Sequence, residues 1–541
     1  MKLNKMILPV MLIAISVTTA CTKYLDKTNP DTEVDPTYWK NENSVRTYNW
    51  EFYNLFTGFG TGASGDFYFS TFSDDQTPSG FSQYPQTTAA TNGSWFFGYV
   101  RKANIMLERI DGVPMPDEAK KHWKGVARFF RAYQYFTLVQ TFGAVPFYNR
   151  SYDVTDTTML YRPRDPHMTV MDSVLSDINY AIDNLRAKDI DNTVNKDVAL
   201  ALKSRICLFE GTYRKYHTEL NASAASIADY LTQAKDAASK LMTGTYTLAT
   251  SYQTSYNSMD LSSDKEMILY KKYLTGYLTH SVIGYTNSST QMHGLSKSAV
   301  ESYLCTDGQP IGLSPLYQGD NTITTVRANR DKRLLQTIDT FLCYNGTLIN
   351  GLNSSTGYRP AKFLQPAAAQ LAPYNDTDAP LFWLAEILLN YAEASYELGA
   401  ITQADLDKSI NLLRARAGVA PLSVIVAFND PKRDADVAPL LWEIRRERRV
   451  ELMMDGFRLQ DIYRWKKGSY MDSKLNPDSF LGAKVLDNGK VSRNAQGYIM
   501  PYPTTSQRVF VDPKNYLSAV PTNQILLYPA YMQPTMQNPG W

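Results

Sequence analysis

The sequence predicts a mainly α fold, a helical repeat scaffold broken by a large loop-rich region of minor β content. Three observations lead there. Apolar residues recur at helical spacing over 41–56, 94–111, 116–141, 167–186, 196–217, 226–243, 378–398, 402–417 and 437–467. These blocks come in pairs joined by short connections. Between them, 57–93 and 244–375 lose the helical period and gain aromatic residues, the first with many Gly and the second with mixed strand and loop patterns. Of the 541 residues, 44% are hydrophobic and 20% charged, which is the composition of a globular chain. Net charge is only +2, so electrostatic capture of nucleic acid or of an anionic membrane is not indicated.

The first twenty residues read as a secretion signal. Lys2 and Lys5 form a charged start, and Ile7 to Val17 an apolar stretch too short to span a bilayer. Thr18, Thr19 and Ala20 then lead into Cys21, as in a bacterial lipoprotein box, although Thr18 stands where Leu is most common. Cys21 is therefore expected to carry lipid, and residues 21–36, with Asp26, Asp31, Glu33 and Asp35, to form a tether from that anchor. No later segment approaches the length of a spanning helix. Among the other cysteines, Cys207 sits in a helical pattern and reads as a small core residue. Cys305 and Cys343 are compatible with either a disulfide or two free thiols.

Several helices carry end signals. Asp376 and Asp378 before Pro380 suit a first helical turn, and Gly399 and Gly418 suit C-terminal caps. The block 378–398 is apolar almost all round, with Glu386, Asn390, Glu393 and Glu397 as one narrow polar stripe, so it must lie between neighbours. Ala392 and Tyr396, with Pro421 beyond the next helix, loosely fit the tetratricopeptide pattern. Ala132 and Phe136 fit the same element.

The densest charge lies at 443–451, where four Arg and three Glu are bracketed by Leu441, Trp442, Ile444, Val450, Leu452 and Met453. Mixed signs argue against a phosphate strip. So many apolar neighbours argue against a solvated face. The reading is an ion-pair network, with Arg445, Glu447, Arg448 and Glu451 largely buried, satisfying one another and facing no ligand.

Signs of catalysis are weak. Gly60, Gly62 and Gly65 match GxGxxG literally but follow a helix instead of a strand. Five His, none paired at helical spacing with Glu, do not suit a zinc hydrolase, and no GxSxG elbow occurs. No metal and no cofactor is expected. A carboxylate pair for glycoside hydrolysis stays open, since such partners lie far apart in a chain. The aromatic loops are the better lead, because a flat ring stacks on the apolar face of a sugar or side chain while nearby amides and carboxylates orient it. Tyr68, Tyr84, Trp95, Tyr277 and Tyr285 are the candidate ligand-binding rings. Tyr84, Tyr277 and Tyr285 are read as exposed, and Tyr99 as core. Asp66, Asp74 and Asp75 are read either as turn carboxylates or as partners for polar ligand groups, with Asp66 the candidate kept.

The chain resembles the SusD/RagB family of Bacteroidetes outer-membrane nutrient-binding lipoproteins. Cys21 with Tyr24, Leu25 and Asp26, and then the run 38–42, resemble that family's start. The run 128–146 is similar to its third-helix signature. The runs 307–311, 329–333 and 357–363 resemble its middle. The run 444–465 resembles its most specific motif, with Asp455 where Glu is usual, and 515–521 and 537–541 resemble its ending. The resemblance implies about four tetratricopeptide-like helix pairs as scaffold. It implies a helical region 37–243 with the inserted loop 57–93, a loop and strand region 244–375 bearing the ligand face, and a C-terminal region 376–541. It further implies a non-enzymatic lipoprotein on the outer face of the outer membrane. Such a protein is the lid of a SusC-like TonB-dependent barrel, to which it delivers an oligosaccharide or other nutrient. A surface glycoside hydrolase on the same anchor, or a repeat scaffold for protein partners only, are the alternatives.

Overall fold

The computed structural model describes residues 38–61, 73–286, 292–368 and 373–541, leaving aside the side chains of Tyr285 and Thr286. The signal segment, the tether with Cys21, and the candidates Asp66 and Tyr68 lie outside the described residues.

Helix α1 (Glu42–Asn49) starts where Asn41 and Ser44 cap one another, each side chain satisfying the other's backbone N–H. It tightens into a 3₁₀ turn, Trp50–Leu55. Helix α2 (Gly98–Arg109) follows the aromatic loop. Helix α3 (Asp117–Phe142) puts Asp117 and Glu118 in its first turn, where they complement the helix dipole, and stops at Gly143 with φ +70°. Helices α4 (His167–Asn184), α5 (Lys196–Tyr216) and α6 (Ala224–Leu241) continue the layer, the last two capped by Asn195 and Ser223. Each of these helices packs on the next in chain order, α2 on α3, α3 on α4, α4 on α5 and α5 on α6. A Cβ added at Gly211 of α5 would come within 2.8 Å of Leu231 on α6, so the glycine lets these two helices meet closely. The shared faces bury Trp123, Phe129, Phe130, Tyr135, Phe209 and Tyr230 in one hydrophobic core. Full burial of each such side chain contributes about 1.5–3 kcal/mol.

The second half corrects three sequence expectations. Strands β1 (Gln76–Thr77), β2 (Met267–Lys271), β3 (Gly294–Leu295) and β4 (Ala379–Trp383) form two antiparallel pairs, β1 with β3 and β2 with β4. The segment expected to open the helix at 378 is therefore strand β4. Pro380 lies opposite Tyr270, and the Asp378 carboxylate accepts hydrogen bonds from the backbone of Leu261 and Tyr273 instead of capping a helix. Helix α7 (Leu384–Glu397) begins only after Trp383 and packs on α5 and α6, which explains its near-uniform burial. The block 402–417 divides into a short helix, Gln403–Asp407, and α8 (Ile410–Ala417), because the Ser409 hydroxyl donates to the Asp405 carbonyl at a non-helical backbone step. Gly399 (φ +73°) and Gly418 (φ +68°) do take the left-handed backbone expected of caps.

The block 437–467 breaks as well, into α9 (Pro439–Glu451) and α10 (Arg458–Arg464). Met454 (φ +66°) and Gly456 (φ +81°) turn the chain left-handed between them. This reversal brings the Asp455 carboxylate within 2.6 Å of Lys362 Nζ, both side chains fully buried. The same ammonium donates to the Met453 carbonyl at 2.8 Å and lies 3.6 Å above the Tyr256 ring. A cation thus closes the C-terminal end of α9.

Helix α9 carries its charges inside. Arg445, Glu447, Arg448 and Glu451 are all buried, as expected. They do not satisfy one another; their partners sit on other elements. Glu447 pairs with Arg333 at 2.6 Å and with Arg414 at 2.9 Å, and Glu451 with Arg333 at 2.8 Å and with Arg416. Arg448 donates to Asp461 on α10 and to Asn390 on α7, both at 2.8 Å. Arg445 lies over the rings of Tyr216 and Trp465 with Glu397 at 3.6 Å. Glu447 and Glu451, one turn apart on the same side, share Arg333, while Arg445 and Arg448 point to other sides and reach α7 and α10, so the helix becomes a hub. Cys207, Cys305 and Cys343 are buried and free, so no disulfide joins Cys305 to Cys343.

Candidate ligand-binding face

The turn 274–278 is built on a stack of rings. Phe59 lies between Phe363 and the imidazole of His280, and Tyr273 packs edge-on against that imidazole. The His280 backbone exchanges both hydrogen bonds with Asn375. Its Nδ1 accepts from the Val282 N–H, and its Nε2 faces the Thr377 carbonyl at 2.9 Å. Those roles require the neutral ring protonated at Nε2, and burial pushes its pKa down to about 4. Tyr273 donates from its hydroxyl to the Phe59 carbonyl and from its backbone to Asp378, whose carboxyl burial raises to about 6. The Thr275 hydroxyl donates to Asp376 at 2.6 Å, and Ser281 N–H to the Gly60 carbonyl.

On this base stand two exposed rings. Tyr277 is 88% exposed and Tyr374 60% exposed, and Leu274 and Leu278 flank the turn with their side chains half in solvent. Aromatic rings on a rigid, hydrogen-bonded rim can stack on a ligand without first being ordered. Tyr277 is the sequence candidate that the structure leaves fully open. Tyr374 was missed, although the turn-forming run Pro373, Tyr374, Asn375, Asp376 in a loop gave the same signal.

The other candidates are placed differently. Tyr84, expected to be exposed, is 4% exposed; it packs with Ile462, Met471 and edge-on against Phe510. The reason is α10, whose apolar face needs cover that the local sequence of the loop does not reveal. Trp95 is half-buried, its ring edge-on to Phe97 and Phe142. Tyr285 belongs to a short helix, Val282–Thr286, that follows the rim. Asp74 and Asp75 are neither turn carboxylates nor open to a ligand. Arg449 lies at 3.1 Å from Asp74 and 2.8 Å from Asp75, and Arg458 at 2.7 Å from Asp74. Burial alone would raise the Asp74 carboxyl, but these two guanidiniums outweigh it and hold it below its ordinary value.

Comparison with known proteins agrees with this architecture. Residues 249–541, more than half of the chain, match the model described as the SusD family. Residues 23–208 match a model described as starch-binding, associating with the outer membrane. A SusD-like protein from Formosa agariphila is 30% identical over 131 residues, which is 24% of this chain and about a quarter (25%) of that relative's own length. A SusD-like carbohydrate-binding protein from Bacteroides fragilis shares the fold at TM-score 0.70 and 20% identity, covering 91% of this chain and 99% of that one. A laminarin-binding SusD-like protein superposes at TM-score 0.57 and 17% identity, covering 93% of this chain and 100% of that one. The match of residues 249–541, more than half of the chain, to the SusD family model shows that this chain belongs to the SusD family.

Proposed function

We propose that this protein is a non-enzymatic glycan-binding lipoprotein of the outer cell surface, anchored through Cys21. It acts as the lid of a SusC-like TonB-dependent outer-membrane barrel and hands oligosaccharide to it. The observation that carries the binding reading is the pair of open rings, Tyr277 and Tyr374, on a rim whose backbone is already fixed. The names of the matched family model and of the structural neighbours, which mention starch, carbohydrate and laminarin, supply the ligand class. Binding without turnover is supported by the state of Asp378, which is buried with both carboxylate oxygens accepting from backbone N–H groups. Modest affinity suffices for such a lid, since an anchored protein works at high local concentration.

Affinity electrophoresis of the protein in gels containing starch or laminarin tests this. Retardation by one of the two that is lost in the Tyr277→Ala/Tyr374→Ala double variant, with no sugar released, is the expected result. Release of reducing ends that stops on changing one carboxylate would overturn it. Co-purification of a large outer-membrane barrel with the native lipoprotein tests the lid.

A further inference from the structure

A hollow of about 310 Å³ opens between the loop at 84–92, the side of α10 and the C-terminal segment 515–541. That volume lies within the range of ligand pockets, about 300–1,000 Å³. One fifth of this chain is charged, yet among the described residues no Asp, Glu, Lys or Arg lines the hollow; Lys514 at its edge has its ammonium 4.5 Å from the Trp541 ring and donates to the Gln86 carbonyl. Its walls are the rings of Tyr463, Tyr516 and Trp541 with the amides of Gln140, Gln460 and Asn92. Gln460 Oε1 is buried without a hydrogen-bond partner, which is unfavourable unless a ligand or water supplies one. Gln140 and Gln460 also line an adjoining hollow of about 280 Å³, so the two spaces meet at this pair of amides. The charges among the described residues lining the second space are already paired, Arg205 with Glu386, Arg448 with Asp461, Asp455 with Lys362 and Arg464 with Glu393.

We propose that this uncharged groove is a second binding site, separate from the Tyr277 rim, for a neutral oligosaccharide. Sugar hydroxyls donate and accept at once, and amide side chains do the same, so two amides at the junction match neighbouring hydroxyls. Aromatic faces take the apolar side of the sugar ring. An anionic glycan would find no cation among the described lining residues to offset its desolvation, and the Lys514 ammonium at the edge is already held by the Gln86 carbonyl and the Trp541 ring. The site rests on the glycan-binding reading but not on the rim that carries it.

The test labels the protein with 5-fluorotryptophan and follows the fluorine resonance of Trp541, assigned with the Trp541→Phe variant. Maltoheptaose and laminariheptaose are the probes, with calorimetry on the same samples. A saturable shift of the Trp541 signal is expected with at least one probe, and it persists in the Tyr277→Ala/Tyr374→Ala variant. Gln460→Leu, or Gln140→Leu should Gln460→Leu fail to fold, weakens the dissociation constant read at that signal about tenfold, the worth of a lost hydrogen bond. A static Trp541 signal beside measurable heat overturns the second site and leaves the rim standing. A shift indifferent to both glutamine variants overturns it too. No shift and no heat with either probe sinks both readings.

Discussion

Helix α9 and the turn 274–278 invert the usual sorting of side chains. The helix holds Arg and Glu in the interior, and the turn holds Tyr and Leu in solvent. What separates them is the supply of partners. Each buried charge of α9 meets an opposite charge or a ring on another element, so its desolvation is compensated. The turn satisfies its backbone within itself, Leu274 with Leu278 and the Tyr277 N–H with the Leu274 carbonyl, is tied to Asp376 through the Thr275 hydroxyl, and so stands up without covering its rings. Charge density therefore marks the scaffold in this protein, and uncovered aromatic area marks the proposed contact surface.

The largest effect that should sharpen this contrast is Glu447→Ala. It strips Arg333 and Arg414 of a shared carboxylate in the interior and is expected to cost about 3–5 kcal/mol, read from the urea midpoint. A near-neutral result would mean that α9 is hydrated and would erase the contrast. Lys362→Met comes next, at about 2–4 kcal/mol near neutral pH, because it leaves Asp455 buried and unpaired. Burial already raises the Asp455 carboxyl to about 6. The loss should shrink as pH falls below that value and the group goes neutral; a cost independent of pH would contradict the pairing.

Two buried imidazoles, one in the rim and one on α3, make their own demand on pH. His280 and His122, both brought down to about 4 by burial, bind a proton in the unfolded chain near 6.5 but not in the folded one. Stability from these rings is present above 6.5 and is lost as pH falls from 6.5 towards 4, by about 3 kcal/mol each at most. Urea midpoints across that window should show the slope, reduced in His122→Gln. The smallest effect belongs to Tyr277→Ala, which should change stability by no more than about 0.5 kcal/mol. It should nevertheless weaken glycan binding about 3- to 10-fold by calorimetry. Unfolding of that variant would show that the ring is structural after all.

The long helices were legible because their determinants are local. Asn195 and Ser223 cap α5 and α6, and the apolar period of α3 matches its buried face. The charge hub was legible as burial but not as pairing, since Arg333 and Arg414 lie far from Glu447 in sequence. Strand β4 was misread because its partner β2 is more than a hundred residues away, and an apolar run beside a Pro looks like a helix start until that partner is seen. Gly456 was visible as a breaker, but the left-handed Met454 beside it has no sequence signature. In the site, Tyr277 could be picked out because it sits in a polar turn. Tyr84 in a similar setting could not be told apart, because what covers it comes from α10 and from Phe510.

The bonds from Asp74 and Asp75 to Arg449, some 375 positions apart, also set a clock. A chain emerging from its N-terminus can settle α2 to α6 early, because those helices meet their neighbours in order of synthesis. The acidic pair at 74–75 and Arg333 must wait for 447–458 to arrive. The middle of the molecule is thus locked by residues in the last fifth of the chain to be made, and a truncated product would hold its first helices while the hub stayed open.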